Sequence, residues 1–181
     1  LNLDFNDGRH PFNGWGNNSS RGVENGVFKV SNPSAVNSWE TQFAYDVQTP
    51  FENGREYKLK FKIKGSSVGR LSSGFQITDG YKSAGEFPGV QFNTQWKDVE
   101  ITCQCNASGA TRLIFSFGEF VGDIYIDDFE FIALGADYKI VDMTPEEKKE
   151  ALTQAMERWI KGMMEVTATR VSAWDAVNES I

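Results

Sequence analysis

The chain has 181 residues with 18 basic and 25 acidic side chains, which gives a formal net charge of −7. Because no basic stripe accompanies this acidic balance, nucleic acid is not an expected partner, and no apolar run reaches the roughly 20 residues of a membrane span. The length has room for one full domain and a part of another. His10 is the only histidine, which excludes a zinc site built on histidine ligands.

Residues 1–132 consist of short apolar-patterned segments between turn signals, which predicts strands. Alternation at Leu3 and Phe5 predicts a short first strand, and the stretch 10–26, rich in Gly, Asn and Ser, predicts a long loop. Further strands are predicted at 26–30, 38–47, 56–64, 75–77, 90–93, 99–105, 113–117 and 122–132. Eight or nine short strands at this spacing favour a β-sandwich or a jelly roll.

The segment 56–64 shows the clearest alternation. Its apolar positions alternate with lysines: Tyr57, Leu59, Phe61 and Ile63 against Lys58, Lys60, Lys62 and Lys64. One face of this strand is therefore predicted to be core and the other solvated, as in one half of a sandwich. The lysine row is favoured as a solvated face that discourages edge pairing, with an anionic-ligand site as the alternative.

The segment 122–132 predicts a long strand. Under the period of two, Tyr125, Phe129 and Phe131 share one face, which predicts a core face. Asp127 falls on that same face, where a carboxylate is costly without a partner or a cation. The pattern therefore raises a possible metal site inside the β-domain.

Four other residues are predicted to be buried: Trp15, Trp96, Cys103 and Cys105. The two cysteines are two positions apart on one predicted strand, so their side chains point the same way, which is poor geometry for a mutual disulfide. They are interpreted as small core residues.

The hydrophobic period changes after residue 143. Thr144 as N-cap, Pro145 at the first helical position and Glu147 three residues after the cap predict a helix start. Apolar residues at helical spacing predict a helix over 144–163, and a strand follows at about 171–177. The chain is thus divided into a β-domain, 1–137, and a helix–strand segment, 138–181, which cannot bury its apolar faces unaided.

Six features, in this order and spacing, carry a family resemblance over residues 1–132: Asp4-Phe5-Asn6-Asp7-Gly8, Gly14-Trp15, Trp39 followed by Gln42, Gly54 before Tyr57, Trp96-Lys97, and Ile124-Tyr125-Ile126-Asp127-Asp128. Together they resemble the family 4, 9 and 22 group of carbohydrate-binding modules. The resemblance implies a β-sandwich jelly roll that binds plant polysaccharide, often xylan, in a groove.

Sugar binding requires an aromatic ring to stack on a pyranose and polar groups to bond its hydroxyls. Trp39 is the first choice as the platform, because it stands in a polar stretch at the predicted start of a strand, and a core Trp is the alternative. Tyr81 is a candidate second platform, and Gln42 a candidate partner for hydroxyls. The resemblance implies a sugar-binding Arg at Arg21 and a sugar-contacting carboxylate at Glu119. A solvated surface residue is the alternative for these last four.

The same resemblance implies a structural calcium ion between the first and last strands. Oxygen ligands suit this hard cation. Asp127 is the best candidate ligand, with Asp4 and Asn6 opposite, although the family usually has Glu where this chain has Asn6. The alternative is that Asp127 accepts backbone N–H bonds and holds no ion.

A second resemblance covers residues 144–181. The segment Ser172-Ala-Trp-Asp-Ala-Val-Asn-Glu179 is similar to the Trp-Asp-Val-Val-Asn-Glu motif of family 10 glycoside hydrolases, which are mainly endo-β-1,4-xylanases. This implies that Glu179 is the general acid/base at the C-terminal end of the fourth strand of a (β/α)8 barrel. Retaining hydrolysis needs a second carboxylate, expected on a later barrel strand, so we expect no hydrolase activity from this chain alone.

The two resemblances together imply an all-β domain, a β-sandwich jelly roll, followed by a helix–strand fragment of a (β/α)8 barrel. The β-domain would be a non-catalytic xylan-binding module, inserted in the barrel before its third helix, that targets an endo-1,4-β-xylanase to its polymer. A secreted, periplasmic or cell-surface location follows from a polymeric substrate. The alternatives are a module for cellulose or mixed-linkage glucan, a spacer without sugar affinity, and a protein-interaction sandwich with a flat apolar patch.

Overall fold

The computed structural model describes residues 1–135 and 144–167. The chain divides into two compact units, Leu1–Ala136 and Asp137–Ile181, with a boundary one residue before the predicted division. Among the described residues, no helix combines the length and apolarity needed to cross a bilayer.

The first unit contains twelve strands among its described residues. They are β1 (Asn2–Leu3), β2 (Asn13–Trp15), β3 (Ser20–Glu24), β4 (Val27–Asn32), β5 (Gln42–Asp46), β6 (Glu56–Gly65), β7 (Gly69–Ile77), β8 (Lys82–Glu86), β9 (Val90–Phe92), β10 (Lys97–Gln104), β11 (Arg112–Ser116) and β12 (Gly122–Ala133). The prediction of eight or nine strands was too low, because β2 and β3 lie inside the predicted loop 10–26 and β8 was not predicted. All three are short and rich in polar residues or Gly, so they lack the apolar alternation that marks a strand.

The strands form two six-stranded sheets, in which all the described pairs are antiparallel. Sheet 1 has the order β10-β6-β12-β4-β3, with β1 added to β12. Sheet 2 has the order β2-β5-β11-β7-β8, with β9 added to β7. The predicted β-sandwich is confirmed, with a single apolar cluster drawn from both sheets as its core.

Phenylalanine dominates this core. All 14 Phe residues of the chain are buried. The rings of Phe43 and Phe115 are parallel with centroids 4.5 Å apart on neighbouring strands of sheet 2. Phe115 also meets Phe129 of sheet 1 edge to face, with centroids 6.0 Å apart, so aromatic contacts join the two sheets. Offset and edge-to-face pairs of this kind add to the free energy gained by burying apolar area.

The predicted two-faced character of β6 is confirmed. Its four apolar side chains are buried, while its lysines lie on the outer face of sheet 1. Three of the lysines form ion pairs with carboxylates on neighbouring strands: Lys58–Glu100, Lys60–Glu130 and Lys62–Asp128. The Nζ of Lys64 lies 4.8 Å from the ring centroid of Trp96 and 5.2 Å from that of Tyr125. Trp96 is therefore a surface residue, 43% exposed, and its predicted burial is wrong because its cation contact holds the ring on the outer face.

A β-bulge in β12 overturns part of the face predicted for this strand. The pairing of β12 with β6 shifts register between Asp127 and Glu130, and Asp128 has a φ of 48°. Phe129 and Phe131 face the core as predicted, but before the bulge the buried residues are Ile124 and Ile126. Tyr125 and Asp127 consequently lie on the outer face, because the extra residue reverses the alternation.

The two cysteines are free. Cys105 is fully buried, as predicted, and Cys103 is half-buried at the edge of the core. Burial raises the pKa of Cys103 to about 11, so its thiol stays protonated near neutral pH.

The second unit contains the helix α1 (Pro145–Thr167), which extends four residues beyond the predicted end. Its predicted start is confirmed as a capping box. The backbone N–H of Glu147 donates to Thr144 Oγ1 over 3.2 Å, and the backbone N–H of Thr144 donates to Glu147 Oε2 over 2.8 Å. The predicted strand at about 171–177 and Glu179 lie outside the described residues.

Candidate functional site

Two aromatic side chains are exposed on turns at the ends of strands in sheet 2. Trp39 is 67% exposed and Tyr81 is 75% exposed. Both lie in one-turn 3₁₀ segments, Ser38–Glu40 and Asp79–Tyr81. The prediction that Trp39 begins a strand is therefore wrong, since β5 begins three residues later. Large aromatics left in water are informative, because most such rings are buried in folded proteins.

Trp39 and Tyr81 line one groove on the outer face of sheet 2, with a volume of about 280 Å³. Between the two rings the groove presents mainly polar side chains: Arg70, Ser72, Gln76, Ser83, Glu86 and Ser116. The groove therefore offers aromatic faces together with hydroxyl, amide and charged groups.

The alternation of β7 explains why this face is polar. Leu71 and Phe75 point into the core and are 1% exposed, while Ser72, Gly74 and Gln76 occupy the opposite face. Ile114 of the neighbouring strand β11 provides an apolar floor beside Gly74. Small and polar residues on this face leave room for a ligand between the two aromatic rings.

Trp15 lies on the same face of sheet 2 and is 37% exposed, so its predicted burial is wrong. Its Nε1–H donates to Gln42 Oε1 over 3.1 Å, and Gln42 Nε2 donates to Ser116 Oγ over 2.8 Å. The guanidinium carbon of Arg112 lies 4.9 Å from the Trp15 ring centroid. Gln42, predicted as a direct partner for sugar hydroxyls, therefore connects Trp15 to a residue that lines the groove.

An ion pair supports the same face. Arg112 donates through Nε to Asp46 Oδ1 over 2.6 Å and through Nη2 to Asp46 Oδ2 over 3.3 Å. Arg112 Nη1 also donates to Gln76 Oε1 over 3.4 Å, which links the pair to the groove. These bonds from Arg112 lower the pKa of Asp46, with burial opposing them, so the carboxylate stays charged to lower pH than usual.

Glu119 lies close to Trp39 in the fold. It is exposed on the turn between Phe117 and Phe120. The neighbouring Gly118 donates its N–H to the Ser38 carbonyl over 3.1 Å and accepts from the Val36 N–H over 2.8 Å. The structure thus brings the Glu119 turn and the Trp39 turn together.

Arg21 belongs to sheet 1, whereas the groove lies on sheet 2. It is an exposed residue of β3, at the edge of sheet 1, and is not among the residues that line the groove. Its Nη1 lies 3.0 Å from the position that a Cβ on Gly14 would occupy, so the side chain extends towards β2. A role for Arg21 in sugar binding stays a prediction that rests on the family resemblance.

Among the groove residues that sequence reasoning did not single out are Arg70, Gln76 and Glu86. Arg70 lies in β7 before its predicted extent of 75–77, Gln76 lies within that extent but was not singled out, and Glu86 belongs to β8, which was not predicted. For the two β7 residues, the available signal is the alternation of Ser72, Gly74 and Gln76 with Leu71, Phe75 and Ile77, which marks a polar outer face.

The predicted calcium ligands lie where the first and last strands meet, since β1 pairs with β12 at Leu3 and Phe129. Asp4 Oδ1 accepts the Asn6 N–H over 3.1 Å, and Asp127 Oδ1 accepts the Asp128 N–H over 2.8 Å. Among residues 1–135 and 144–164, no three His, Cys, Asp or Glu side chains form a group that could hold a metal ion. A calcium ion would therefore depend on these two carboxylates, the Asn6 amide and backbone carbonyls, and it stays a prediction.

A β-sandwich with exposed aromatic rings along a polar groove defines the class of protein as a carbohydrate-binding module. A family model described as "Carbohydrate binding domain", of the family 4 and 9 type, matches residues 1–119. The chain belongs to this family of carbohydrate-binding domains.

Solved structures agree with this assignment. The chain is similar to "BiXyn10A CBM1 APO" at 25% identity and a TM-score of 0.59, over 72% of this chain and 95% of the other. It is similar in fold to "CBM4 structure and function" at 15% identity and a TM-score of 0.62, over 71% and 99% of the two chains. The N-terminal cellulose-binding domain from Cellulomonas fimi β-1,4-glucanase C shares the fold at 14% identity and a TM-score of 0.57, over 72% and 93%. No curated protein matches the chain.

Proposed function

We propose that the β-domain binds an extended chain of β-1,4-linked sugars, with xylan as the first candidate, in the groove between Trp39 and Tyr81. The observation that carries this proposal is the pair of exposed rings on one polar face, 67% and 75% exposed. Each ring can stack on the apolar face of a pyranose, and the polar side chains between them can bond its hydroxyls.

Xylan is preferred over cellulose and other β-glucans as the ligand, on two grounds. One similar structure carries the name BiXyn10A CBM1, and the segment ending at Glu179 resembles the catalytic motif of family 10 xylanases. Cellulose is the second candidate, because another structure of this fold is a cellulose-binding domain. Affinity for either polymer is expected to be weak to moderate, since polar groups must be desolvated along an open groove.

The test is calorimetric titration with xylohexaose and with cellohexaose. Trp39→Ala should abolish the heat of binding, and Tyr81→Ala should weaken binding, because each change removes a stacking surface. Trp96→Ala is the matched control, since Trp96 is exposed on the opposite sheet beside Lys64. Binding that is equally sensitive to Trp39→Ala and Trp96→Ala would contradict the groove as the site. No heat with either sugar in the unaltered chain would favour a spacer domain.

The module is further proposed to belong to a modular, secreted or cell-surface endo-1,4-β-xylanase, with residues 144–181 as part of its barrel. In the complete enzyme, Glu179→Gln should abolish xylan hydrolysis, because the general acid/base would be lost, while binding to insoluble xylan should persist. Hydrolysis that survives this change would remove Glu179 from the catalytic role.

A further inference from the structure

One charged side chain in the groove has no partner in the part of the chain that the structure describes. Arg70 is exposed on β7, and it is the only cationic residue among the described residues that line the groove. Among the described residues, none forms a hydrogen bond or an ion pair with its guanidinium group. This contrasts with Arg112 on the same sheet, whose guanidinium is held by Asp46. Arg70 therefore keeps its donors free for a ligand.

The position of the Arg70 guanidinium depends on a glycine. A Cβ placed on Gly89 would lie 2.6 Å from both Nε and Nη2 of Arg70. Such a contact is impossible, so any side chain at position 89 would push the guanidinium away. The bare backbone of Gly89, itself a groove residue, leaves the space in which the guanidinium lies along the groove wall.

Arg70 and Trp39 lie towards the same end of the groove. Ser116 of β11 pairs with both Gln42 of β5 and Ser72 of β7, so these residues are at one level of sheet 2. Trp39 precedes Gln42 and Arg70 precedes Ser72 on strands that run in the same direction. Tyr81 follows the opposite end of β7, whose last residue, Ile77, is about 23 Å along the strand from Arg70.

Glu86, the one acidic side chain that lines the groove within residues 1–135 and 144–164, does not neutralise Arg70. It pairs across the sheet with Gly74, four residues further along β7, and it forms no ion pair with Arg70. Four strand residues span about 13 Å, which is beyond direct contact. A ligand that passes Trp39 therefore meets an unpaired positive charge at that end.

We propose that the groove prefers a sugar chain that carries an acidic substituent, a uronic acid, and that Arg70 binds its carboxylate. The inference rests on the proposed function, since the chain itself is held by the aromatic rings. A guanidinium presents paired N–H donors that match the two oxygens of a carboxylate, and such charge-assisted bonds are stronger than bonds to a neutral hydroxyl. The ligand class is thus an acidic β-1,4-linked polysaccharide, with uronic acid branches on a neutral backbone.

The experiment compares the affinities of a linear xylo-oligosaccharide and of the same oligosaccharide bearing one glucuronic acid branch. At low salt, the unaltered protein should bind the acidic sugar roughly three- to tenfold more tightly, the range for a charge-assisted contact that stays partly solvated. The ratio should fall towards one in 1 M salt, where the Debye length is about 3 Å.

Three variants test whether Arg70 causes the preference for the acidic oligosaccharide. Arg70→Ala should bring the ratio of the two affinities close to one, and Arg70→Lys should keep only part of the preference, because an ammonium group lacks the paired donors. Gly89→Ala should also lower the ratio while the net charge stays the same, because it displaces the guanidinium. Lys60→Ala is the control for net charge, since Lys60 lies on the outer face of sheet 1, and it should leave the ratio unchanged.

The outcomes separate this inference from the proposed function. If both oligosaccharides bind equally well and Trp39→Ala abolishes both, the sugar-binding function holds and the acid preference is overturned. If the preference persists in Arg70→Ala, the assignment to Arg70 is overturned. If neither oligosaccharide binds, the proposed function itself fails.

Discussion

In the β-domain, the phenylalanine side chains lie in the core and the tryptophan side chains lie at the surface. Every Phe is buried, whereas Trp15, Trp39 and Trp96 are 37%, 67% and 43% exposed. A Phe ring has no polar atom, so its burial costs no hydrogen bond, while an indole N–H needs an acceptor. Trp15 finds that acceptor in Gln42. At the residue scale, the exposed tryptophans therefore mark the surfaces that need an explanation, and one of them lines the groove.

His10 makes the stability of the β-domain depend on pH. Its ring centroid lies 4.9 Å from that of Phe28, and burial, followed by the positive charge of Arg21, lowers its pKa from the ordinary value of 6.5. The unfolded chain then binds a proton at a pH where the folded protein does not. Protonation of His10 should therefore not affect the free energy of unfolding above pH 6.5. The free energy of unfolding should fall as the pH drops from 6.5 towards the pKa of His10 in the folded state.

The measurement is urea denaturation at pH 7.5 and pH 5.5, for the unaltered protein and for His10→Phe. Because His10 is the only histidine, no other side chain of that type contributes in this window. The unaltered protein should lose stability at the lower pH, and the variant should lose less. Equal losses in both proteins would show that His10 does not control the effect.

At the scale of single elements, one extra residue decides what β12 shows to solvent. Before the bulge its odd-numbered residues face outward, and Tyr125 contacts Lys64 there. After the bulge the odd-numbered residues Phe129 and Phe131 face the core. The strand thus serves both the cation–π surface of sheet 1 and the aromatic core, which a regular strand of the same sequence would not.

The Trp39 turn is held in place by a close backbone approach. A Cβ on Gly118 would lie 2.1 Å from the Asn37 carbonyl oxygen, so only glycine fits between the two turns. Gly118→Ala should destabilise the β-domain by about 1–3 kcal/mol, the usual range for overpacking, and should weaken sugar binding because the Trp39 turn must move.

Thermal denaturation and titration with xylohexaose test this expectation. Gly22→Ala is the matched control, since no atom lies within 4 Å of the added Cβ. It should leave both the melting temperature and the affinity nearly unchanged. If Gly118→Ala behaves like Gly22→Ala, the contact between the two turns does not position Trp39.

At the scale of the whole molecule, the β-domain is closed where its first and last strands pair. The amino group of Leu1 donates to the Phe131 carbonyl over 3.0 Å, and the Phe131 N–H donates to the Leu1 carbonyl over 2.9 Å. The predicted calcium ligands Asp4, Asn6 and Asp127 flank this junction. An ion bound there would join the first strand to the last strand of the β-domain.

Calcium binding predicts that the stability of the β-domain responds to a chelator. A ligand that binds only the folded state raises its stability, so removal of calcium should lower the melting temperature, and added calcium should restore it. The measurement is a thermal melt in EDTA and in excess calcium, with Asp127→Asn as the variant that should no longer respond. A melting temperature that is the same in EDTA and in calcium would contradict a structural ion.

Much of the fold was predictable from local pattern, while the groove was only partly so. The alternation in 56–64 identified β6 and both its faces, and the Thr144 capping box identified the helix start. Trp39 and Tyr81 were candidates from their polar surroundings, and the structure brings both to one groove. Arg70 escaped because Ser73 interrupts the apolar alternation of β7, and Glu86 escaped because β8 has no apolar alternation.

Local sequence pattern was enough to predict the β-sandwich, because alternating apolar residues can bury one face only when two sheets pack together. It also determined the helix start and the family, through short motifs that are local in the chain. Only the tertiary structure decided that the bulge at Asp128 turns Tyr125 outward, that Trp15 and Trp96 are at the surface, and that Arg70 stands unpaired beside Gly89. These facts depend on pairing between residues far apart in the chain, and a period of two carries no information about which strands become neighbours.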